Sequence, residues 1–133
     1  MADPTKADVF SGFDCKVKSV SVSSKGVFAV GDENGRVKLI EYKPDEAEKF
    51  VVKKEHNMLG QAVRETVWTE DGVRLAAVGD GRDFYMKVIM AESGTKMGDI
   101  SGPTLNAHSA DMKKIDKTTY LAVCGADNST YIY

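Results

Sequence analysis

Hydrophobic and polar residues alternate in short runs along this chain, and turn residues separate the runs. Alternation with a period of two places every second side chain on one face of a β-strand, and Asn-Gly is a strong hairpin turn. The first cycle therefore predicts antiparallel strands at Val17–Ser23, Val27–Gly31, Arg36–Tyr42 and, more exposed, Lys49–Glu55.

The same pattern restarts twice. The second cycle predicts strands in VRETVWT, VRLAAVG and YMKVIM and an outer strand within SGTKMGDIS (Ser93–Ser101); the third predicts strands in SADMKKI, TYLAVCG and STYIY. A glycine closes the second strand of each cycle at Gly31, Gly79 and Gly125, so the intervals are 48 and 46 residues. A period of roughly 40–50 residues with several short strands is typical of β-propeller blades. No segment predicts a stable helix.

The predicted fold is all-β, an arc of about three four-stranded blades at residues 13–56, 61–101 and 108–133, with the last blade incomplete and a flexible segment at 1–12. Propellers close their ring with about four to eight blades, and an open arc leaves strand edges and apolar faces uncovered. Either the chain is part of a longer one, or arcs from several copies assemble into a ring. We expect the isolated segment to self-associate.

Composition narrows the function classes. The chain has 133 residues, 18 basic and 20 acidic, without a block of one sign, which argues against nucleic-acid and membrane partners. The N-terminal residues are polar and acidic, unlike a signal peptide. Cys15 and Cys124 are far apart and in no metal-like spacing, so we expect a reducing, cytoplasmic environment and two small buried hydrophobes.

The longest charged turn is GDGRDFY, from Gly79 to Tyr85. A phosphate-binding loop would run from a strand into a helix and end in Gly-Lys-Ser/Thr, whereas this loop runs from strand to strand. A calcium loop would need more alternate ligands than Asp80 and Asp83. The open interpretations are a solvated hairpin tip or a protein-contact loop. Trp68 lies on the first strand of the same cycle, where we expect a core or inter-blade aromatic.

The sequence predicts no catalytic centre, metal site or cofactor. His56 and His108 are expected in connections between blades, without the Ser, Cys or carboxylate pattern of a triad. A small β-domain enzyme or ligand carrier is therefore the least favoured function class.

The three cycles carry an eroded WD-repeat signature, in which a Gly-His pair, a turn Asp and a Trp-Asp pair stabilise each blade. The Gly-His positions hold Gly12-Phe13, Gly60-Gln61 and Ala107-His108. The Trp-Asp positions hold Ile40-Glu41, Ala91-Glu92 and Ile132-Tyr133, and the turn Asp positions hold Asn34 and Asp127. The regular spacing, more than any one position, indicates WD-repeat blades.

The second cycle resembles the actin-interacting protein 1 family of WD-repeat proteins. The resemblance rests on Val67-Trp68-Thr69-Glu70-Asp71, on RLAAVGDGRD (Arg74–Asp83) and on the return Met97-Gly98-Asp99-Ile100-Ser101-Gly102. GDENGRVKLIEY in the first cycle and LAVCGADNSTYIY in the third are similar to other blades of that family. The resemblance covers nearly the whole chain and an early part of the family's length, in its N-terminal propeller.

The resemblance implies a non-enzymatic, cytoplasmic protein of the actin cytoskeleton that binds actin filaments and cooperates with cofilin in their disassembly and severing. By position it nominates Asp80, Arg82 and Asp83 as filament-binding residues, and Asp127 in the third cycle. Ala126 stands where the family often has a second Asp. The alternative is a WD-repeat scaffold that binds a protein other than actin.

Overall fold

The computed structural model describes residues 5–98 and 102–133, and every regular element in them is a β-strand. The ten strands are β1 (Val17–Val22), β2 (Val27–Asp32), β3 (Arg36–Tyr42), β4 (Phe50–Asn57), β5 (Val63–Trp68), β6 (Arg74–Gly79), β7 (Met86–Met90), β8 (Ala107–Ile115), β9 (Thr118–Gly125) and β10 (Thr130–Ile132). In the described ranges, no helix is long and apolar enough to cross a membrane.

The strands form three antiparallel sheets, which we call blade 1 (β1-β2-β3-β4), blade 2 (β5-β6-β7) and blade 3 (β8-β9-β10). The innermost strands β1, β5 and β8 are neighbours, as in a propeller. Polar contacts join them across the blades: the hydroxyls of Ser21 and Thr66 are 2.7 Å apart, and the Ala110 amide donates to the Glu65 carboxylate at 2.8 Å. The predicted WD-repeat propeller arc is confirmed.

The strand registers define the repeat more sharply than the glycine spacing does. The first residue of each inner strand pairs with Asp32, Gly79 or Gly125, and a register irregularity follows that pair in all three blades. The equivalent positions are therefore Asp32, Gly79 and Gly125, at intervals of 47 and 46 residues. The prediction that Gly31 matches Gly79 was wrong by one residue, because glycine occupies the neighbouring position in blade 1.

Two apolar clusters hold the blades together. Between blades 1 and 2, Val37, Leu39 and Met58 pack against Leu75 and Ile89. Between blades 2 and 3, the buried residues are Ala76, Val78, Met86, Val88, Ala107, Ala110, Leu121 and Val123. The two faces of β6 thus belong to different clusters, because successive side chains on a strand point to opposite faces.

Trp68 packs against the cluster between blades 1 and 2, as the core interpretation predicted. It pairs with Leu75, whereas the charged loop follows Gly79 at the other end of β6. Trp68 therefore lies at the end of blade 2 remote from that loop. Its indole N–H is buried and has no hydrogen-bond partner among the described residues.

Part of the outer strand predicted for blade 2, Asp99–Ser101, lies outside the described residues. Before it, Lys96 makes an isolated bridge to Ile89, and the Met97 amide donates to the Val88 carbonyl at 2.9 Å. The segment that follows β7 therefore turns back alongside β7, in the direction that an outer strand would take.

Candidate functional site

The β6–β7 loop, residues 80–85, is a closed hairpin tip. The Gly79 amide donates to the Tyr85 carbonyl at 3.0 Å, which closes the loop. Gly81 is packed so closely that an added Cβ would lie 2.0 Å from the Phe84 carbonyl oxygen. The strand-to-strand course predicted for GDGRDFY is confirmed, and the tight closure presents the tip on two well-buried strands, β6 and β7.

Asp80 anchors this loop to the inner strand. Its carboxylate accepts hydrogen bonds from Arg64 Nε at 2.7 Å and from Arg64 Nη2 at 3.3 Å. The hydrogen bond from the guanidinium to this carboxylate raises the pKa of Arg64. The Asp80 amide also donates to the Ala62 carbonyl at 2.9 Å. Asp80 is thus occupied within the fold, by a residue that the sequence analysis did not single out.

Arg82 and Asp83 form the exposed part of the tip. Both side chains are open to solvent, and neither makes a hydrogen bond or ion pair within the described ranges. Phe84 follows them with 46% of its surface exposed, which is unusual for a large aromatic side chain. Phe84 was not among the predicted site residues; the sequence signal for it was an aromatic residue inside a charged turn.

A cleft of about 370 Å³ separates this tip from the chain entering blade 3. Arg82, Asp83 and Phe84 line one side, and Pro103 and Thr104 line the other. Protein partners commonly insert a side chain into such a recess at the centre of an interface. A partner would therefore meet a recess beside the loop tip as well as the charged side chains of the tip.

Asp127 lies on the far side of Thr104 and fixes that wall of the cleft. Its carboxylate accepts from the Thr104 amide at 3.0 Å and hydroxyl at 3.3 Å, from the Ser129 amide at 3.1 Å and from the Tyr131 hydroxyl at 2.9 Å. The bond from the Thr104 amide contributes most to holding the pKa of Asp127 below its ordinary value of 3.8. Of the four nominated residues, Arg82 and Asp83 line the cleft and face outward. Asp80 is engaged with Arg64 behind the loop tip, and Asp127 with Thr104 of the cleft lining.

In blade 1 the corresponding turn depends on Asp32. Its buried carboxylate accepts from the Asn34 amide at 2.9 Å, the Arg36 amide at 3.0 Å and Arg36 Nε at 2.8 Å. Burial raises the pKa of Asp32, but the hydrogen bonds from the two amides and from the Cys15 and Arg36 side chains together outweigh it, so the pKa lies below 3.8. Because Asp32 and Gly125 are equivalent by register, Asn34 and Asp127 hold equivalent turn positions, as the sequence predicted. In blade 1, however, the accepting carboxylate belongs to Asp32, two residues before the exposed Asn34; like Asp127 in blade 3, it accepts from residues two and four further along.

The Trp-Asp positions also shift. Ile40 pairs with Phe28, Ile89 pairs with Leu75, and Tyr133 exchanges backbone hydrogen bonds with Leu121. The equivalent third-strand residues are therefore Ile40, Ile89 and Tyr133. The Trp-Asp position predicted at Ile40 is retained in blade 1. In blades 2 and 3 the equivalent residues are Ile89 and Tyr133, not the predicted Ala91 and Ile132.

Asp14, Cys15 and Asp32 offer side-chain atoms within 4.8 Å of one another, which could suggest a metal site. The guanidinium of Arg36 lies among them, however. It pairs with both carboxylates, and its Nη2 lies 3.3 Å from Cys15 Sγ. A cation is already supplied by the chain, so this cluster is an ion-pair network that ties the segment before β1 to the β2–β3 turn.

The histidines and cysteines depart from their predicted locations. His56 lies in β4 and His108 in β8, not in connections, and His56 Nε2 is 2.7 Å from the Ala91 carbonyl of the next blade. Cys15 is half-buried and Cys124 is exposed, so the expectation of two buried cysteines was wrong. Cys124 lies on the face of β9 opposite to Val123, which explains its exposure.

The chain is similar over nearly its whole length to curated proteins. It is 30% identical to actin-interacting protein 1 of Drosophila melanogaster over 129 residues, and 27% identical to WD repeat-containing protein 1 of Bos taurus and of Xenopus tropicalis over 128 residues each. These alignments cover 96% of this chain and 20% of each relative, so the chain spans about a fifth of their length. No model of a known protein family matches it.

The name of the first relative states an interaction with actin, and the name of the others states WD repeats. Three adjoining antiparallel blades with a shared register irregularity give the architecture that such repeats require. On the sequence matches and this architecture together, the chain is similar to a WD-repeat region of actin-interacting protein 1.

Proposed function

We propose that this chain binds actin filaments through the cleft surface formed by Arg82, Asp83 and Phe84. The similarity to a protein named actin-interacting protein 1, over 96% of the chain, carries the proposal. Within that match the β6–β7 tip combines an exposed aromatic ring with a cation and an anion that make no ion pair among the described residues. Arginine and large aromatic residues are the types most enriched at the energetic centres of protein interfaces.

The internal contacts of the loop support the assignment of roles. Asp80 is held by Arg64, and Asp127 is held by Thr104 and Tyr131. These residues preorganise the two walls of the cleft, which lowers the entropy lost when a partner binds. The exposed side chains of Arg82 and Asp83, which have no hydrogen-bond partner in the part of the chain that the structure describes, remain available to the partner.

The family resemblance supports a more specific activity. We infer that the chain, as part of a WD-repeat protein of the actin cytoskeleton, cooperates with cofilin in filament disassembly and severing, without catalysing a reaction itself. Its preferred target would then be a filament already decorated with cofilin, in the cytoplasm.

Co-sedimentation with actin filaments, with and without bound cofilin, tests this proposal. We expect the 133-residue chain to pellet with cofilin-decorated filaments in a saturable manner and to increase the number of filament ends seen by fluorescence microscopy. A folded chain that stays in the supernatant at all filament concentrations would contradict the proposal. In that case the alternative, a WD-repeat scaffold for another protein, would remain for the same loop tip.

A further inference from the structure

Each inner strand contains one residue that the pairing with its neighbouring strand leaves out. This residue is Lys18 in β1, Arg64 in β5 and His108 in β8. Such a bulge re-aims a side chain relative to the regular alternation of the strand. All three side chains are exposed and of basic type, so the blades present them at equivalent positions.

The loop after each second strand is fastened to the inner strand by the same backbone contact. The amides of Glu33, Asp80 and Ala126 each donate to the carbonyl of the residue immediately before the inner strand, at 2.9 Å in all three blades. Each of these residues directly follows the residue that pairs with the start of the inner strand, so the three are equivalent by register. The difference between the loops therefore lies in their side chains.

In blade 2 the bulge residue and the first residue of the loop form an ion pair. Arg64 Nε lies 2.7 Å from one carboxylate oxygen of Asp80, and Arg64 Nη2 lies 3.3 Å from the other. The described residues of blade 1 show no ion pair between Lys18 and Glu33; the Glu33 carboxylate accepts from a backbone amide at 3.2 Å instead. In blade 3 the equivalent residue, Ala126, carries no carboxylate. The side-chain tie between inner strand and loop thus distinguishes blade 2 from the other two blades.

This ion pair is the one polar side-chain contact that residues 80–85 make within the described chain. The backbone leaves little room beside it, because a Cβ added at Gly79 would lie 2.1 Å from the Ala62 carbonyl oxygen. The start of the loop is therefore held closely at Asp80, whereas the charged side chains further along the tip have no such tie.

The geometry of the pair suits it to fixing a direction. Two guanidinium nitrogens meet two carboxylate oxygens, an arrangement that defines the relative orientation of both groups. The Asp80 side chain is 17% exposed and the Arg64 side chain 46%. Ion pairs that are this open to solvent contribute little to the free energy of unfolding. Loss of Arg64 should therefore loosen the loop without unfolding the blade.

We propose that Arg64 is a positioning residue for the filament contact of the β6–β7 tip. Its guanidinium holds Asp80, and Asp80 sets the direction in which the following side chains, Arg82 and Asp83, leave the loop. A loop that is already held in its binding conformation loses less entropy when the partner binds. This inference rests on the proposed filament contact, but the fastening of the loop by Arg64 can be measured without a filament.

A double-mutant cycle in filament binding tests whether Arg64 acts through Asp80. In quantitative co-sedimentation with cofilin-decorated filaments, Arg64→Ala should raise the dissociation constant by about threefold to tenfold, because the loop must then be ordered on binding. Adding Arg64→Ala to Asp80→Ala should weaken binding no further, since the partner of the guanidinium is already absent. Arg64→Lys should recover part of the affinity, because lysine keeps the charge but not the two-pronged geometry.

Lys18→Ala is the matched control, because Lys18 is the exposed bulge residue of blade 1 and makes no ion pair among the described residues. It should leave the affinity for filaments unchanged. An equal loss in Lys18→Ala would attribute the effect to net charge. Additive losses for Arg64→Ala and Asp80→Ala would mean that Arg64 acts independently of Asp80. Either result would overturn the proposal.

Amide hydrogen exchange, followed by NMR, tests the fastening of the loop without filaments. Arg64→Ala should speed exchange of the Asp80 amide by about fivefold or more, because local opening of the loop exposes this amide. The equivalent amides of Glu33 and Ala126 should exchange as in the natural sequence, and the urea midpoint should stay the same. Unaltered exchange at Asp80, or equal acceleration at all three amides, would overturn the proposal.

The two experiments separate the failure of this inference from that of the filament contact. If the natural sequence does not bind filaments while Arg64→Ala speeds exchange at Asp80, the filament contact is refuted and the fastening of the loop by Arg64 is supported. If the natural sequence binds and Arg64→Ala binds equally well with unaltered exchange, the positioning role is refuted and the filament contact is supported.

Discussion

The β2–β3 turn of blade 1, with its buried Asp32, gives the most quantitative prediction. Asp32 has 2% of its surface exposed, and its carboxylate accepts two backbone amides and the Nε of Arg36. Asp32→Ala leaves these three donors without their acceptor. The two amides lie in a turn that water can partly reach, and Arg36 retains Asp14, so the unmet donors are not all fully buried.

The expected loss follows from these contacts. Removing one member of a well-buried charged network costs about 3–5 kcal/mol, and leaving a buried hydrogen-bonding group unpaired costs about 1–3 kcal/mol. Because Asp32 is buried and its partners are partly solvated, we expect Asp32→Ala to lower the free energy of unfolding by about 2–3 kcal/mol.

Urea unfolding at pH 7, followed by the fluorescence of Trp68, measures this loss, since Trp68 is the single tryptophan and lies in the core between blades 1 and 2. Asn34→Ala is the matched control in the same turn; its exposed side chain makes no hydrogen bond there, so the change should stay within about 0.5 kcal/mol. Equal losses for the two variants, or a loss below about 0.5 kcal/mol for Asp32→Ala, would refute the role given to Asp32.

Three further predictions concern stability. Gly35→Ala should lower the free energy of unfolding by more than about 2 kcal/mol, because φ is +86° and the new Cβ would lie 2.0 Å from the Leu59 carbonyl oxygen. Gly26→Ala is the comparison, at φ +75° in open space; in the same urea titration its free energy of unfolding should fall by only about 1 kcal/mol. Trp68→Phe should change the free energy of unfolding by less than about 1 kcal/mol, measured by calorimetry, because the lost indole N–H has no hydrogen-bond partner among the described residues. The pKa of Asp32 in the folded state lies below 3.8, so the stability that its carboxylate contributes is present above pH 3.8 and is lost as the pH falls through the folded-state pKa. Asp32→Asn should therefore reduce the acid sensitivity of the unfolding midpoint between about pH 5 and 2. An unaltered pH profile would contradict the assignment.

Strand existence and order could be read from the sequence because they depend on local alternation and on turn residues. β1, β2, β3 and β7 lie where the alternation places them, and the turn after Asp32 contains Asn34-Gly35. The equivalence of positions between blades could not be predicted from the sequence as accurately. Glycine spacing identifies where a small residue is tolerated, whereas the equivalence of Asp32 with Gly79 is set by the pairing register and its irregularity.

The hairpin tip that carries the candidate site could be predicted from the sequence, but the contacts of its residues could not. The sequence GDGRDFY indicates a charged hairpin tip. It does not distinguish the roles of the three nominated aspartates, Asp80, Asp83 and Asp127. Which carboxylate is internal depends on Arg64 and Thr104, which are separated from their partners by 16 and 23 residues along the chain. Contacts of that range arise from the packing of strands, so local patterns do not reveal them.

The measurement closest to the central claim compares the affinity of three chains for cofilin-decorated actin filaments by quantitative co-sedimentation. We expect Arg82→Ala/Asp83→Ala to weaken binding by at least about tenfold, the loss typical of a truncated interface centre. Its unfolding free energy should match that of the natural sequence. Glu70→Ala, an exposed charge in the turn at the opposite end of blade 2, should bind normally. Unaltered binding by the double variant, or an equal loss in Glu70→Ala, would contradict the claim that the β6–β7 tip contacts the filament.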